Sequence, residues 1–244
     1  MKVKLDSGFL YGLVGDGRVA QHLKTYFSLL KIPYQQWSRR SSEPLESSLL
    51  SCSHILLAIS DQAIRTFYEE HEFLKQKRVI HFSGALYFNK IYGAHPLFAF
   101  TEESYDLETY RKIPFVVDKT EDNFKEWLPG FENPYWAISA TDKSFYHSLC
   151  VISGNFTSML WKDVITHFEQ NLKLPREVLF PYMNQVFKNL IANSELALTG
   201  PLVRNDDFTI QKNLEALQGN PLFDIYQAFT KYYPVAHRSP HEHL

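Results

Sequence analysis

Glycine spacing near the start of the chain predicts a site for phosphate groups. Gly15, Gly17 and Ala20 have the spacing G-x-G-x-x-A, directly after an apolar run at residues 9–14. The first glycine would allow a sharp turn, the second would let backbone N–H groups approach an anion, and the small alanine would let the next helix pack closely on the strand. This arrangement is typical of dinucleotide-binding folds, although ordinary strand-to-helix turns also use such glycines.

Hydroxyl and basic residues follow the second predicted strand at residues 34–37. Ser38, Arg39 and Arg40 stand about 20 residues beyond the first glycine, where folds that bind NAD usually place an acid that holds the ribose 2′-OH. Guanidinium and hydroxyl groups would instead bind a 2′-phosphate, so the sequence predicts NADP(H) rather than NAD(H). The alternative is that both arginines are solvated loop charges.

Alternating strand and helix patterns predict an α/β fold, a Rossmann-type parallel sheet, over residues 1–138. Apolar runs at 54–59 and 78–82 have the composition of strands buried on both faces. Between them a helix begins at Ser60 and Asp61, and its inner face carries Ile64, Phe67, His71 and Leu74. Shorter strands are predicted at 91–94, 114–118 and 135–138. We therefore expect a dinucleotide-binding domain at residues 1–138.

The remaining residues assigned to the cofactor lie in the glycine turn and after the later strands. Parallel strands place their C-terminal ends along one crevice, so residues at these ends line the ligand site. His81, Ser83 and Gly84 therefore fall on the rim of the site. The remaining residues assigned to the cofactor are Asp16, Arg18, Val19, Ser60, Asp61 and Ser83.

Helical periodicity begins near Thr141 and predicts an all-helical second domain at residues 139–244. One face of its first helix is apolar, with residues spaced alternately four and three apart. These residues are Phe145, Leu149, Ile152, Phe156, Met159 and Leu160. The opposite face, which carries His147 and Asn155, mixes small and polar residues. Such a face is typical either of solvent exposure or of close approach by a cofactor, a substrate or another helix. Further helices are predicted at 176–198, after Asp206 or Asp207, and from Pro221.

Histidine, amide and guanidinium groups are the candidate catalytic residues. His147 lies one turn beyond Lys143, and a histidine can exchange protons near neutral pH. His95, near the rim of the sheet, is a second acid/base candidate. Asn155 could orient a carbonyl or imine, and Arg204 could bind a substrate carboxylate. The alternative is that His147 is a packing residue of the helical domain and Arg204 a surface charge.

Composition and charge narrow the class of partner. Hydrophobic residues make up 45% of the chain, which is enough for a core. The net charge is -2, so the overall charge does not favour binding to nucleic acid or to an anionic membrane. The chain start does not resemble a signal peptide and no run approaches the ~18 apolar residues of a membrane span, so a cytoplasmic protein is expected. Cys52 and Cys150 lack metal-type spacing, and we expect no metal site.

Several short motifs, taken in order, resemble one family. They are Gly12-Leu-Val-Gly15-Asp-Gly17-Arg-Val-Ala20, Trp37-Ser38-Arg39, Ala58 to Ile64, His81-Phe-Ser83-Gly84-Ala85, Gly93 to Phe100, Tyr146-His147, Gly154-Asn155-Phe156 and Ala197 to Arg204. From about residue 8 to about residue 232 the chain resembles the Rossmann-like proteins whose C-terminal half is the domain of unknown function 2520. Its sequence departs from the commoner family motif at Arg204-Asn205-Asp206, where the family more often has glycine after arginine.

The resemblance implies a general layout rather than a substrate. The family is similar in layout to pyrroline-5-carboxylate reductase and the 6-phosphogluconate dehydrogenase superfamily, which implies an NAD(P)-binding domain, a helical second domain and usually a dimer built through those helices. The apolar helical faces also favour a homodimer, because neighbouring copies commonly cover such surfaces.

Two functions from different classes remain open. The first is an NADP(H)-dependent oxidoreductase that acts on a small, anionic metabolite held between the domains. The second is a non-catalytic regulatory or scaffold protein that uses NADP occupancy to set its oligomeric state. The polar set His95, His147, Asn155 and Arg204 favours the enzyme, because a sensor needs no acid/base group beside the nicotinamide.

Overall fold

A computed structural model describes residues 8–236 of the chain. The chain divides into two compact units, Met1–Leu160 and Trp161–Leu244. The first contains the sheet and the helices against it, and the second is built of helices. The domain boundary predicted after residue 138 stays a prediction. Residues 1–7, which bear on the expected absence of a signal peptide, lie outside the described residues.

Seven strands form one sheet in the order β2-β1-β3-β4-β5-β6-β7. They are β1 (Tyr11–Val14), β2 (Tyr34–Trp37), β3 (His54–Leu57), β4 (Arg78–His81), β5 (Tyr92–Pro96), β6 (Phe115–Asp118) and β7 (Tyr135–Ile138). In this order, neighbouring strands from β2 through β1, β3 and β4 to β5 pair in parallel. Strand β6 is antiparallel to β5, and β7 is parallel to β6. The Rossmann-type α/β fold is confirmed.

One part of the sheet prediction was wrong, because the sheet is mixed rather than wholly parallel. The connection from β5 to β6 carries only the short helix α4 (Leu107–Lys112), which the sequence pattern did not predict. An antiparallel neighbour needs no crossover over the face of the sheet, so this short connection reverses the chain direction instead.

Ten α-helices are described besides this sheet. They are α1 (Arg18–Leu30), α2 (Leu45–Leu49), α3 (Asp61–Glu70), α4, α5 (Phe124–Trp127), α6 (Lys143–Cys150), α7 (Thr157–Gln170), α8 (Phe180–Ala192), α9 (Asp207–Ala216) and α10 (Leu222–Ala236). None of these described helices has the length and apolar character that crossing a bilayer requires.

Two predicted helices end earlier than the sequence pattern indicated. The apolar spacing predicted that α3 continues to Leu74, but His71 is extended and a separate 3-10 turn buries Leu74. The helix predicted at 176–198 ends at Ala192, because the side chain of Asn193 accepts hydrogen bonds from the next free backbone N–H groups. A side chain that offers the backbone a local partner competes with helix continuation.

Strand alternation divides the core of the first unit into two layers. Ile80 and Tyr92 pack with the apolar face of α1, whereas Val79 and Ile91 pack on the opposite side of the sheet with α2 and α3. Successive side chains along a strand point to opposite faces. The residues two positions after Val79 and Ile91 therefore share the second face, and these are His81 and Gly93.

The predicted helix from residue 141 is continuous but not uniform. Between α6 and α7 the segment Val151–Phe156 is π-helical, and such segments often mark functional sites in helices. The apolar residues along this stretch are largely solvent-exposed: Phe145 is 68% exposed and Met159 is 60% exposed. This apolar face is therefore available to another chain.

Candidate functional site

The glycine turn excludes a side chain at Gly15 and leaves open space at Gly17. Gly15 has φ +121°, and a Cβ there would collide with the carbonyl oxygen of Ala58. Gly17 directly precedes α1, and a Cβ there would meet nothing within 4 Å. Ala20 is fully buried, which lets α1 pack closely on the sheet. The turn thus offers open space beside the first N–H groups of α1, where anions bind most readily.

A cleft of about 580 Å³ opens in front of this turn. Every residue that the sequence assigned to the cofactor lines it: Gly15, Asp16, Gly17, Arg18, Val19, Ser38, Arg39, Arg40, Ser60, Asp61 and Ser83. The fold therefore brings four separate segments of the chain around one cleft of a size that suits a small ligand. Their role in binding stays a prediction.

The basic turn beside the cleft is ordered by its own hydroxyl groups. Ser41 Oγ accepts a hydrogen bond from the Ser38 backbone N–H at 2.9 Å, and Ser38 Oγ accepts one from the Arg40 N–H at 3.2 Å. Arg40 Nη1 lies 3.2 Å from Asp16 Oδ2, with the Arg40 side chain 88% exposed. Arg40 thus already has a protein partner in the glycine turn, whereas Arg39 has no ion pair among the described residues.

The loop after β4 connects the cleft with a cluster of histidines. Ser83 lines the cleft and donates a hydrogen bond from Oγ to Asp61 Oδ2 at 2.7 Å. The next residue, Gly84, lies against two imidazole rings. A Cβ on Gly84 would lie 2.5 Å from the ring of His147 and 3.2 Å from the ring of His95. The sequence-predicted histidines therefore lie against Gly84, the residue that follows Ser83 of the cleft.

His95 and His147 form the centre of this cluster. Their ring centroids are 5.8 Å apart with an interplanar angle of 84°. His95 Nδ1 shares a hydrogen bond with the Tyr146 hydroxyl at 2.8 Å. Burial, together with the neighbouring His147 and Lys143, lowers the pKa of His95 to about 4. His95 is therefore neutral at pH 7.

A buried ion pair beside the histidines was missed by the sequence reasoning. Lys143 Nζ donates to Asp118 Oδ1 at 2.6 Å, and the Gly93 backbone N–H donates to Asp118 Oδ2 at 2.7 Å. Both charged side chains are 2% exposed. A Cβ on Gly93 would collide with Lys143 Nζ. A glycine inside a strand pattern marks close approach of another group, and this was the available signal.

His81 is a second buried group that the sequence placed on the rim without a role. It is fully buried, and its Nδ1 accepts a hydrogen bond from the Ser83 backbone N–H at 3.2 Å. Burial and the nearby Lys143 lower the pKa of His81 to about 3, so the ring is neutral and Nε2 carries its proton. That Nε2 has no hydrogen-bond partner among the described residues.

The other two candidate catalytic residues, Asn155 and Arg204, lie in the π-helical segment and in the second unit. Asn155 is exposed in the π-helical segment, and within residues 8–236 its side chain has no hydrogen bond to His95 or His147. Arg204 belongs to the second unit and lies 3.9 Å from Asp206 Oδ2. The next residue, Asn205, has φ +52°. Asparagine tolerates this left-handed conformation, so the turn keeps a conformation suited to the glycine that the family more often has.

The sheet, the glycine turn and the following helices define a Rossmann-like chain with a helical C-terminal region. Residues 118–233 match the family described as Domain of unknown function (DUF2520). The chain therefore contains a DUF2520 domain, and the predicted resemblance is confirmed. No curated protein matches the sequence significantly.

Solved structures share the fold over nearly the whole chain. A protein of Bacteroides fragilis, provisionally named an NADP oxidoreductase, is 18% identical with a TM-score of 0.72, covering 92% of this chain and 97% of that chain. The pyrroline carboxylate reductase of Plasmodium falciparum, solved with NADP bound, is 13% identical with a TM-score of 0.57, covering 93% and 99%. An imine reductase from Myxococcus stipitatus in complex with NADP+ is 12% identical with a TM-score of 0.62, covering 93% of both chains. At sequence identities of 12–18%, the structural similarity to these proteins shows a shared fold.

Proposed function

We propose that the protein is an NADP(H)-dependent oxidoreductase of a small, anionic metabolite. The observation that carries the proposal is the loop Ser83-Gly84, which lines the dinucleotide-type cleft with one residue and contacts His95 and His147 with the next. A cofactor cleft that adjoins an acid/base group is what reduction of a polar double bond requires. Structural neighbours named as NADP-binding reductases support the same class.

The residues of the cleft fit an NADP(H) molecule. The open space at Gly17 and the N-terminus of α1 would hold the pyrophosphate. Ser38, Arg39 and Arg40 would bind the 2′-phosphate. When bound, NADPH supplies a hydride for reduction of a substrate double bond. His147 would supply or accept the accompanying proton, and Arg204 stays the predicted partner of a substrate carboxylate.

Consumption of reduced cofactor tests this function. The full chain is mixed with NADPH and, separately, with imines, 2-oxo acids and aldehydes, and the loss of NADPH absorbance is followed. Oxidation with any one class supports the oxidoreductase. Tight NADPH binding without consumption across the whole panel would instead favour the second candidate, a regulatory or scaffold protein. Absence of NADPH binding would contradict both functions.

A further inference from the structure

An ion pair joins the two turns that line one end of the cleft. Asp16 belongs to the glycine turn after β1, Arg40 belongs to the basic turn after β2, and these two strands are parallel neighbours. Arg40 Nη1 lies 3.2 Å from Asp16 Oδ2, and both residues line the cleft. Under the proposed function the basic turn would also bind the 2′-phosphate of NADP(H). Arg40 thus has two candidate anionic partners, a carboxylate of the chain and a phosphate of the cofactor.

Backbone contacts hold the two turns side by side. The Gly15 N–H donates to the Trp37 carbonyl oxygen at 2.9 Å, and the Gln36 side-chain amide donates to the Gly15 carbonyl oxygen at 2.9 Å. In the basic turn the Arg40 backbone N–H donates to a serine hydroxyl at 3.2 Å. Because the backbone is held on both sides, the Asp16 carboxylate stays beside the basic turn unless its own side chain rotates.

The ion pair itself is exposed and therefore easily exchanged. The Arg40 side chain is 88% exposed and the Asp16 side chain is 40% exposed. Ion pairs in such surroundings are weak, because water and salt screen them. A phosphate monoester carries a charge of about −1.5 to −2 and three acceptor oxygens, more than a carboxylate offers. A 2′-phosphate would therefore displace Asp16 from Arg40 and leave the Asp16 carboxylate beside a second anion.

The neighbouring charged groups of the cleft are arranged differently. Arg39, in the same basic turn, has no ion pair within residues 8–236, so a phosphate would displace nothing from it. Asp61 also lines the cleft, but its carboxylate accepts a hydrogen bond from Ser83 Oγ at 2.7 Å. Of the described acidic residues that line the cleft, Asp16 is thus the one paired with the basic turn.

From these contacts we propose that Asp16 competes with the 2′-phosphate for Arg40 and thereby limits the preference of the cleft for NADP(H) over NAD(H). The inference rests on the proposed function and deepens it, because it assigns a specificity-determining residue to the same cleft. NADH has no 2′-phosphate, so its binding leaves the ion pair intact. NADPH binding changes the partner of Arg40, and the free-energy cost of that exchange applies to NADPH alone.

Removal of the Asp16 charge tests the proposal in the full chain. NADPH and NADH are titrated into the wild type, Asp16→Asn and Asp16→Ala, with cofactor fluorescence as the readout. We expect the NADPH Kd to fall about two- to fivefold in both variants, the range that corresponds to an exposed ion pair, while the NADH Kd is unchanged. Asp163→Asn, at an exposed aspartate of α7 that does not line the cleft, is the matched charge control and should change neither Kd. Unchanged or weaker NADPH binding, an equal change for both cofactors, or the same gain in the control overturns the proposal.

A double-mutant cycle tests whether Arg40 is the group exchanged. Arg40→Gln is made in the wild type and in Asp16→Asn, and the NADPH Kd is measured for each. In the wild type the contact of Arg40 with the phosphate is partly offset by the loss of its ion pair with Asp16. We therefore expect Arg40→Gln to weaken NADPH binding about two- to fivefold more in the Asp16→Asn background. An equal or smaller loss in that background overturns the exchange and leaves the proposed function standing. Absence of saturable NADPH binding in every variant contradicts the proposed function and the inference with it.

Discussion

Lys143 and Asp118 form an ion pair with Nζ and Oδ1 2.6 Å apart, while both side chains are 2% exposed. The pair attaches the start of α6 to the end of β6, directly over Gly93. Because His147 lies one turn further along α6, this contact fixes where the candidate acid/base group can lie.

Breaking this pair should strongly destabilise the protein. Asp118→Asn or Lys143→Met leaves one buried charge without its partner, and we expect a loss of about 3–5 kcal/mol in the free energy of unfolding. Chemical denaturation measures the loss. Lys112→Ala, which removes an exposed helical ion pair with Glu108, is the matched control and should change stability little. Equal losses in the free energy of unfolding for the buried and exposed variants would contradict the assignment of Lys143 and Asp118 as a buried ion pair.

His147 should affect turnover without affecting the fold. His147→Ala removes the group expected to transfer the proton, and general acid/base groups contribute about 10²–10⁴-fold to rate. We expect that loss in kcat on whichever substrate is reduced, with the NADPH Kd and the thermal midpoint unchanged. Gly84→Ala should lower kcat in the same direction, because its Cβ would displace the His147 ring. A fall in stability with no separate effect on kcat would identify His147 as a packing residue.

Stability should fall as the pH is lowered from 7 to 5. The folded-state pKa values of His81 and His95 are about 3 and about 4, whereas both rings take up protons near pH 6.5 once unfolded. The unfolded state therefore binds more protons between these limits, so the free energy of unfolding decreases by up to about 1.4 kcal/mol per pH unit for each ring. Denaturation at several pH values measures the slope. His81→Gln and His95→Gln should each reduce it, and an unchanged slope in both would contradict the expectation.

Much of the fold could be predicted because its signals are local. The glycine turn, the buried runs and the apolar helix spacing each lie within a few residues of one another. The direction of β6 could not be predicted, because strand pairing depends on contacts between distant segments. The ends of α3 and α8 were missed because His71 and Asn193 interrupt patterns that otherwise continue.

The candidate site likewise has one part that could be predicted from local signals and one part that could not. Gly15, Ser38 and Ser83 could be assigned to one cleft because strand ends in a Rossmann fold meet at a known edge. The partnership of Asp118 with Lys143 joins residues 25 positions apart and needs the register of β5 with β6. Periodicity places Lys143 on a helix face but does not say which strand it meets, so the pair became visible only in the structure.

We propose that the chain forms a homodimer through the apolar face of α6 and α7. Phe145, Ile152 and Met159 are each more than half exposed, and apolar surface of this kind is commonly covered by a second copy. Sedimentation at micromolar concentration should show a dimer. Ile152→Asp should shift it to monomer, whereas Leu50→Asp, at an exposed leucine elsewhere, should not. A monomeric wild-type profile would contradict the proposal.

The basic turn should determine the choice between the two nicotinamide cofactors. Arg39→Ala combined with Arg40→Ala removes charge-assisted contacts to a 2′-phosphate, worth about 1.5–3 kcal/mol, so NADPH binding should weaken by roughly tenfold or more while NADH binding changes little. Arg65→Ala, at an exposed arginine outside the cleft, is the matched control. Equal losses for both cofactors would show that the arginines support the fold. Asp16→Asn in the double variant should restore part of the NADPH affinity, because it removes a carboxylate that has lost its Arg40 partner.

Titration of the full chain with NADPH and with NADH, followed by cofactor fluorescence in the absence of any substrate, tests the central claim most directly. The account predicts saturable binding of one NADPH per chain, with a Kd at least about tenfold lower than that for NADH, as expected from one charge-assisted phosphate contact. Absence of saturable binding, or equal affinity for the two cofactors, would contradict the assignment of the cleft to NADP(H).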